Sequence, residues 1–284
     1  MIAVVTSRTR DLYLRRPTPP YVFNKDCSQA QGLQAFWPLG EPSALMYHDY
    51  VRTKGSYKLT QNGTMAIAPG PFSDGLATSN TGSTSNWLQI ASAVVTDYPA
   101  TMACWVYPLD VTTYRNCLVV SQEASAGDYM TLDLGGDIGG DPVVADVNEV
   151  GFATTTTGYV ANQWQHICGV YTSTSLVAAY LNGGGKGTDT SSGTPNGWNT
   201  TVVGAGRFSS TTFSPINGRL AHACIWNRTL TDDEVFELYE PPTRWQLYYP
   251  VGTRKYFKAP AAAGGVSVPA LARASRHFIG VGIH

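Results

Sequence analysis

One unbroken stretch, residues 213–239 with the sequence FSPINGRLAHACIWNRTLTDDEVFELY, constrains the fold more than any other part of the chain. Residues 218–228 alternate with the period of two that a half-buried strand requires, and both faces are largely apolar. The pattern then changes. Thr231 precedes Glu234 by the spacing of a capping box, and Asp232 and Asp233 meet the helix dipole favourably in the first turn. The stretch predicts an internal strand followed by a short helix that packs on the sheet.

The rest of the chain favours an all-β protein. It contains 29 Gly, 16 Tyr and 7 Trp among its 284 residues, with many Ser and Thr and without long helical periods. Alternating or apolar segments between turn signals predict further strands. These strands cover residues 86–90, 102–108, 116–121, 129–134, 164–171, 176–182 and 201–204.

Four segments together resemble one known family. The run from Asn217 to Tyr239 resembles the closing segment of laminin-G-like, or concanavalin-A-like, jelly-roll domains. Residues 36–39 (FWPL) resemble the family's opening strand, and residues 101–108 (TMACWVYP) resemble a later one. Residues 163–171 (QWQHICGVY) followed by 179–183 (AYLNG) resemble its central hairpin. The resemblance covers residues 34–240 and implies a two-sheet antiparallel jelly-roll sandwich with one short helix.

Charge is unevenly distributed around this predicted domain. Residues 1–25 contain five of the 19 basic side chains and one of the 20 acidic ones, and residues 241–284 contain six basic and no acidic side chains. Residues 26–240 therefore hold 8 basic and 19 acidic side chains. We therefore predict an extended N-terminal arm over residues 1–33, the sandwich over 34–240, and a basic, aromatic C-terminal arm over 241–284. The residues expected to anchor these arms to a partner are Arg8, Arg10, Arg15, Arg16, Arg244, Trp245, Arg254 and Lys255.

The termini and cysteines suggest a compartment. Residues 1–5 are too short for the apolar core of a signal peptide, and no apolar run approaches the ~18 residues of a membrane span. Five cysteines are odd in number, and three lie in apolar strands, which favours free thiols over disulfides. We expect a protein made in a reducing cytoplasm, without a membrane partner.

Two segments bear on metal binding. Residues 48–59 occupy the place where relatives carry a calcium loop; Asp49 is retained, but Arg52 and Lys54 beside it argue against calcium. Residues 135–151 read as a flexible acidic loop, which suits either a hard cation or plain solvated surface. The acidic residues in and beside this loop are Asp133, Asp137, Asp141, Asp146 and Glu149. Calcium is thus compatible with the composition but unsupported by a motif, and no cofactor is predicted.

No catalytic pattern is found. Glycosidases of this fold usually carry an E-x-D-x-x-E run on one strand, and the chain has none. The five histidines lack zinc spacing, and nucleophile-elbow, P-loop and dinucleotide motifs are absent. We expect the protein not to be an enzyme, with a glycosidase as the minor alternative.

Two non-enzymatic functions remain. The segments FNKDCSQAQGLQAFWPL and LYEPPTRWQLY resemble laminin-G-like proteins of phage and prophage. This resemblance implies a virion structural protein, such as a capsid decoration protein, that reaches the virion from the host cytoplasm. Its expected partners are capsid or other virion proteins and further copies of itself, with nucleic acid disfavoured.

The alternative is a carbohydrate-binding module for surface glycans. The family often binds sugars, and aromatic side chains on exposed loops could stack on a sugar ring. The aromatic residues selected for this role are Trp87, Tyr129 and Trp198, for which packing at the rim of the sandwich is the competing interpretation.

Overall fold

The computed structural model describes residues 21–40, 46–47, 49, 51, 57–71, 76–125, 127–208 and 210–250. Two antiparallel eight-stranded sheets face each other, which confirms the predicted sandwich. The front sheet has the order β12-β11-β10-β9-β16-β7-β4-β3. Its strands are β3 (Met46–Tyr47), β4 (Leu59–Asn62), β7 (Trp87–Ile90), β9 (Tyr114–Ser121), β10 (Tyr129–Gly135), β11 (Pro142–Val147), β12 (Phe152–Gly158) and β16 (Thr200–Val203).

The back sheet has the order β15-β14-β13-β8-β19-β6-β5, and β2 also pairs with β19. Its strands are β2 (Leu33–Trp37), β5 (Ala66–Pro69), β6 (Leu76–Thr81), β8 (Ala100–Pro108), β13 (Gln165–Ser173), β14 (Leu176–Leu181), β15 (Gly184–Asp189) and β19 (Asn217–Trp226). The predicted internal strand of the closing segment is therefore β19, which lies between β8 and β6.

The main hydrophobic core lies between the two sheets. Alternate residues of β10 (Met130, Leu132 and Leu134) point into it from the front sheet, and Trp37 and Ile225 do so from the back sheet. Because the side chains of a strand alternate, the residues between them on β10 lie on the outer face of the front sheet. That outer face carries the site described below.

The helix α1 (Asp232–Tyr239) closes the domain as predicted. The Thr231 side chain accepts a hydrogen bond from the Glu234 amide, and the Glu234 carboxylate accepts one from the Thr231 amide, so the capping box is complete. Glu234 also forms a two-pronged ion pair with Arg228 at 2.7 and 2.8 Å. Val235 and Leu238 are buried against the outer face of the back sheet, which supplies the stability that an eight-residue helix lacks alone.

Parts of both predicted arms pack on this same face. Strand β1 (Tyr21–Phe23) pairs with β20 (Tyr248–Pro250), and a 3-10 helix covers Ser28–Ala30. Trp245 is fully buried in the cluster that holds α1. The Trp226 indole N–H donates to the Gln29 carbonyl at 2.7 Å, which ties the N-terminal segment to β19. Residues 21–33 and 241–250 therefore belong structurally to the sandwich; the arm boundaries at 33 and 241 stay predictions.

Several elements differ from the sequence expectations. Residues 142–147, predicted as part of a flexible loop, form the buried strand β11, so that prediction is wrong. Strands β12 and β15, and the small hairpin of β17 (Gly206–Phe208) and β18 (Thr211–Phe213), were not predicted. All five cysteines are free. Among the residues described, no helix is long and apolar enough to cross a membrane.

Candidate functional site

A pocket of about 310 Å³ opens on the outer face of the front sheet. Its floor is formed by outward-facing side chains of β9, β10 and β11, and its wall by the β17–β18 hairpin and the turn after β11. The described residues that line it are Tyr114, Asn116, Tyr129, Thr131, Asp133, Asp146, Glu149, Phe152, Phe208, Phe213 and Ser214. Carboxyl, hydroxyl and amide groups on the floor thus face aromatic rings on the wall.

A β-bulge positions the polar floor. Leu132 of β10 pairs with Leu118 of β9, but the next residue, Asp133, pairs with Asn116, so Cys117 is the extra residue. Without this bulge, strand alternation would place Asn116 on the same face as Leu118. With it, the Asn116 amide group donates to Asp133 Oδ1 at 2.8 Å, and the Tyr114 hydroxyl donates to Oδ2 at 2.9 Å.

The second carboxyl comes from the neighbouring strand. Asp146 of β11 pairs with Thr131 of β10 and lies on the same outer face as Asp133. It is 2% exposed, and its Oδ1 has no hydrogen-bond partner among the described residues. Asn116 is 3% exposed, and its Oδ1 is also without a partner there. Buried polar atoms normally have partners, so two such acceptors facing one pocket are unusual.

The turn after β11 adds a third carboxyl. Asn148 and Glu149 both have positive φ, 60° and 55°. The Asn148 side chain holds this conformation, because it accepts from the Tyr129 amide at 2.7 Å and donates to the Thr194 carbonyl at 2.8 Å. The turn therefore presents Glu149, which is exposed, at the pocket mouth.

Aromatic rings form the opposite wall. Phe208 stacks on Tyr129 with centroids 4.3 Å apart, and Phe213 meets Phe208 edge-on at 4.1 Å. The hairpin approaches the floor closely at Gly206, where a Cβ atom would lie 2.6 Å from Asn116 Oδ1. Phe152 lies at the rim and is 45% exposed, so an aromatic surface is available to a ligand at the entrance.

Burial controls the protonation of the floor. Desolvation raises the pKa of Asp133 to about 7, although hydrogen bonds from Asn116 and Tyr114 oppose it. Desolvation, followed by repulsion from Asp133, raises the pKa of Asp146 to about 7 as well. Burial raises the pKa of Tyr114 and Tyr129 too, so both hydroxyls stay protonated near neutral pH. Both carboxyls therefore titrate near neutral pH, and repulsion from Asp133 favours the neutral form of Asp146.

The structure brings together two of the three predicted glycan-binding residues. Tyr129 lines the pocket, and Trp87 belongs to the same outer-face cluster, with the Arg207 guanidinium 5.2 Å from its ring centroid. Trp198 differs from the expectation of an exposed aromatic, because it is 5% exposed and packs in the core between the sheets. The phenylalanines of the wall were not predicted, because pairing of their short strands is not visible in the sequence.

Two of the eight predicted partner-anchoring residues lie in the described part of the chain. Arg244 and Trp245 are described, and Trp245 packs within its own chain, which gives it a role in the sandwich itself. The other anchoring residues, Arg8, Arg10, Arg15, Arg16, Arg254 and Lys255, lie outside the described residues. Their contact with a partner stays a prediction.

The acidic residues do not form a metal centre in the described part of the chain. No three His, Cys, Asp or Glu side chains converge there as ligands. Asp49 accepts hydrogen bonds at its Oδ1 from the amides of Phe36 at 3.0 Å and Val51 at 2.9 Å, a local structural role. Asp137 is exposed in the β10–β11 connection, away from the buried Asp133 and Asp146.

Comparison with solved structures finds this fold in several proteins. Domain 4 of AbnA, a GH43 extracellular arabinanase from Geobacillus stearothermophilus, solved in complex with arabinotriose, has a TM-score of 0.59 at 20% identity and covers 73% of this chain and 98% of its own. The binding domain of Paraclostridial Mosquitocidal Protein 1 has a TM-score of 0.54 at 14% identity, over 75% of this chain and 52% of its own. Trypanosoma rangeli sialidase has a TM-score of 0.54 at 13% identity, over 82% of this chain and 38% of its own.

Sequence comparison identifies the family. A search of curated proteins gives no match. A laminin G profile, described as the concanavalin A-like lectin/glucanases superfamily, matches residues 81–236, which include β8 to β19 and most of α1. This match spans more than half of the chain and both sheets of the sandwich, so the chain belongs to the concanavalin A-like lectin/glucanases superfamily.

Proposed function

We propose that the protein is a carbohydrate-binding module whose site is the outer-face pocket. The observation that carries this proposal is the combination, in one pocket of about 310 Å³, of a wall of aromatic rings and two buried acceptor atoms to which none of the described residues donates. Sugars present hydroxyl donors at their edges and apolar C–H faces, so a polar floor facing aromatic rings is complementary to them.

The structural relatives support this proposal through the fold. The arabinanase domain was solved with arabinotriose, and it superposes over nearly its whole length. The botulinum neurotoxin type G receptor-binding domain has the same fold with a TM-score of 0.51 at 12% identity. These relatives are distant, so the pocket of this chain, rather than a shared ligand, is the main argument.

The proposed activity is binding without hydrolysis. A glycosidase needs an acid and a base whose pKa values are driven apart by their environments. Here burial raises the pKa of both Asp133 and Asp146 to about 7. Asp133 is in addition held by two hydrogen bonds from the protein, which leaves it poorly placed to exchange a proton with a substrate.

The exposed rim residue gives a direct test. Phe152→Ala removes an aromatic surface at the pocket, and Phe236→Ala is a matched control because Phe236 is also 45% exposed but lies on α1. We expect Phe152→Ala to weaken binding to oligosaccharides about fivefold, since an aromatic contact contributes about 1 kcal/mol. Titration calorimetry on a glycan identified by array screening measures this.

Three results would each contradict part of the proposal. Equal affinity in the two variants would place binding elsewhere, and an array without any bound glycan would exclude the function. Release of reducing sugar from a bound oligosaccharide would overturn the non-enzymatic part. Nothing in the described part of the chain supports the virion structural role; it stays a hypothesis and is compatible with glycan binding.

A further inference from the structure

The pocket presents hydrogen-bond acceptors that have no donor within the part of the chain that the structure describes. The Asn116 amide group is committed to Asp133, so the atom left over is Oδ1, and the free atom of Asp146 is likewise Oδ1. Both residues are more than nine-tenths buried and line the pocket. A ligand that satisfies these two atoms must donate hydrogen bonds to them.

The charge of the pocket restricts the ligand further. The described lining includes three carboxyl residues, Asp133, Asp146 and Glu149, and no Lys, Arg or His. The cations on the adjoining strands are engaged elsewhere. Arg115 pairs with Asp110 at 3.2 Å, and Arg207 pairs with Glu123 at 2.7 Å. Bringing a carboxylate or sulfate into this pocket would place like charges together in a desolvated site.

The aromatic wall suits a cation as well as a sugar face. Tyr129, Phe208 and Phe213 form a contiguous set of rings, and Phe152 adds an exposed ring at the rim. Ring faces attract ammonium groups, and the attraction increases when the group is desolvated. Carboxyl groups and rings on opposite sides of one pocket therefore favour a positively charged donor.

We propose that the pocket selects an amino sugar, whose protonated amine donates to Asp146 and Asn116, over the N-acetylated form of the same sugar and over anionic sugars. This inference rests on the proposed carbohydrate-binding function and specifies its ligand class. A metal ion is a weaker occupant, because no three ligating side chains converge in the described residues.

Proton release is the signature of this binding mode. An ammonium group beside the two aspartates stabilises their ionised forms and so lowers their raised pKa values. The other titratable groups facing the pair are Tyr114 on β9, Tyr129 on β10 and Glu149 after β11; the tyrosines remain protonated, since burial raises their pKa. Binding at pH 7 should therefore release protons from the aspartate pair.

The experiment compares matched ligands on the full chain. Oligosaccharides of 2-amino-2-deoxyglucose and 2-amino-2-deoxygalactose, their N-acetylated forms and oligogalacturonate are titrated at pH 7 in two buffers of different ionisation enthalpy. We expect at least tenfold tighter binding of an amine form than of its N-acetylated form, no binding of oligogalacturonate, and net proton release. Asp146→Asn should reduce the preference and the proton release, whereas Asp137→Asn, a change of the exposed acid next to the pocket strands, should alter neither.

The outcomes separate this inference from the proposed function. Equal or tighter binding of the N-acetylated or anionic sugars would overturn the amino-sugar inference but leave carbohydrate binding in place. Amine binding that is unchanged in Asp146→Asn would overturn the assignment of the amine to this pocket. Absence of binding by every saccharide would overturn both.

Discussion

The pocket carboxyls make the free energy of unfolding depend on pH, and the isosteric substitution Asp146→Asn isolates the contribution of Asp146. In the folded protein the pKa of Asp146 is raised from 3.8 to about 7, so the neutral acid is favoured by folding. The stability associated with this neutral form is fully present below pH 4 and is lost as pH rises through 7. Such a shift corresponds to about 4 kcal/mol. Since water in the pocket screens the charge, we expect on the order of 2 to 4 kcal/mol.

Asp146→Asn removes this charge and keeps the shape of the side chain. Below pH 4 the variant should match the wild type; its advantage in free energy of unfolding should appear as pH rises above 4 and should be larger at pH 8 than at pH 5 by about 2 kcal/mol or more. Urea unfolding of both proteins at the two pH values measures the difference, and titrating groups distant from Asp146 cancel in the comparison. Asp137→Asn, which changes an exposed acid, is the control.

A stability difference between Asp146→Asn and wild type that is the same at pH 5 and pH 8 would refute the reasoning. It would mean that Asp146 titrates at its ordinary value, in contact with water, and that its free carboxylate oxygen is not desolvated. The pocket would then be more open than the structure shows, and water would screen the repulsion between its carboxylates and an anionic ligand.

Three further substitutions test other parts of the structure. Gly206→Ala should weaken sugar binding at least tenfold, because the new Cβ would lie 2.6 Å from Asn116 Oδ1 and 2.7 Å from Phe213. The control Gly139→Ala, whose Cβ would have nothing within 4 Å, should leave the affinity unchanged. Equal affinities of the two variants in calorimetry would exclude the hairpin from the site. Trp245→Ala should lower the free energy of unfolding in urea by about 3 to 5 kcal/mol, because it removes a buried aromatic side chain. Phe236→Ala should lower it by less than about 0.5 kcal/mol. Thr231→Ala should cost about 1 kcal/mol by loss of the helix cap; no loss would show that the cap contributes nothing.

Local sequence patterns were sufficient for the fold. The alternation across residues 218–228 identified β19, and the spacing of Thr231 and Glu234 identified α1 with its capping box, because both depend on contacts within a few residues. The jelly-roll sandwich followed from the resemblance of four such segments, and the sheets confirm it.

The candidate site needed contacts between residues far apart in the chain. The glycines and carboxylates around Asp133 and Asp146 are typical of solvated surface and predict an acidic loop; sheet pairing instead buries the two residues at diagonal positions on one face. Whether a residue is buried depends on the distant segments that cover it. The sequence places Trp198 on a polar loop and so predicts that it is exposed, whereas in the structure it lies in the core.

The all-β class, the closing strand and the capped helix follow from the order of residues alone, because period and capping are local properties of the chain. The position of a site, in contrast, depends on how distant segments pack. The bulge at Cys117 turns Asn116 toward Asp133, and the β17–β18 hairpin brings Phe208 and Phe213 over the floor. These features depend on strand register and on the approach of distant segments, and they convert scattered acids and aromatics into one pocket.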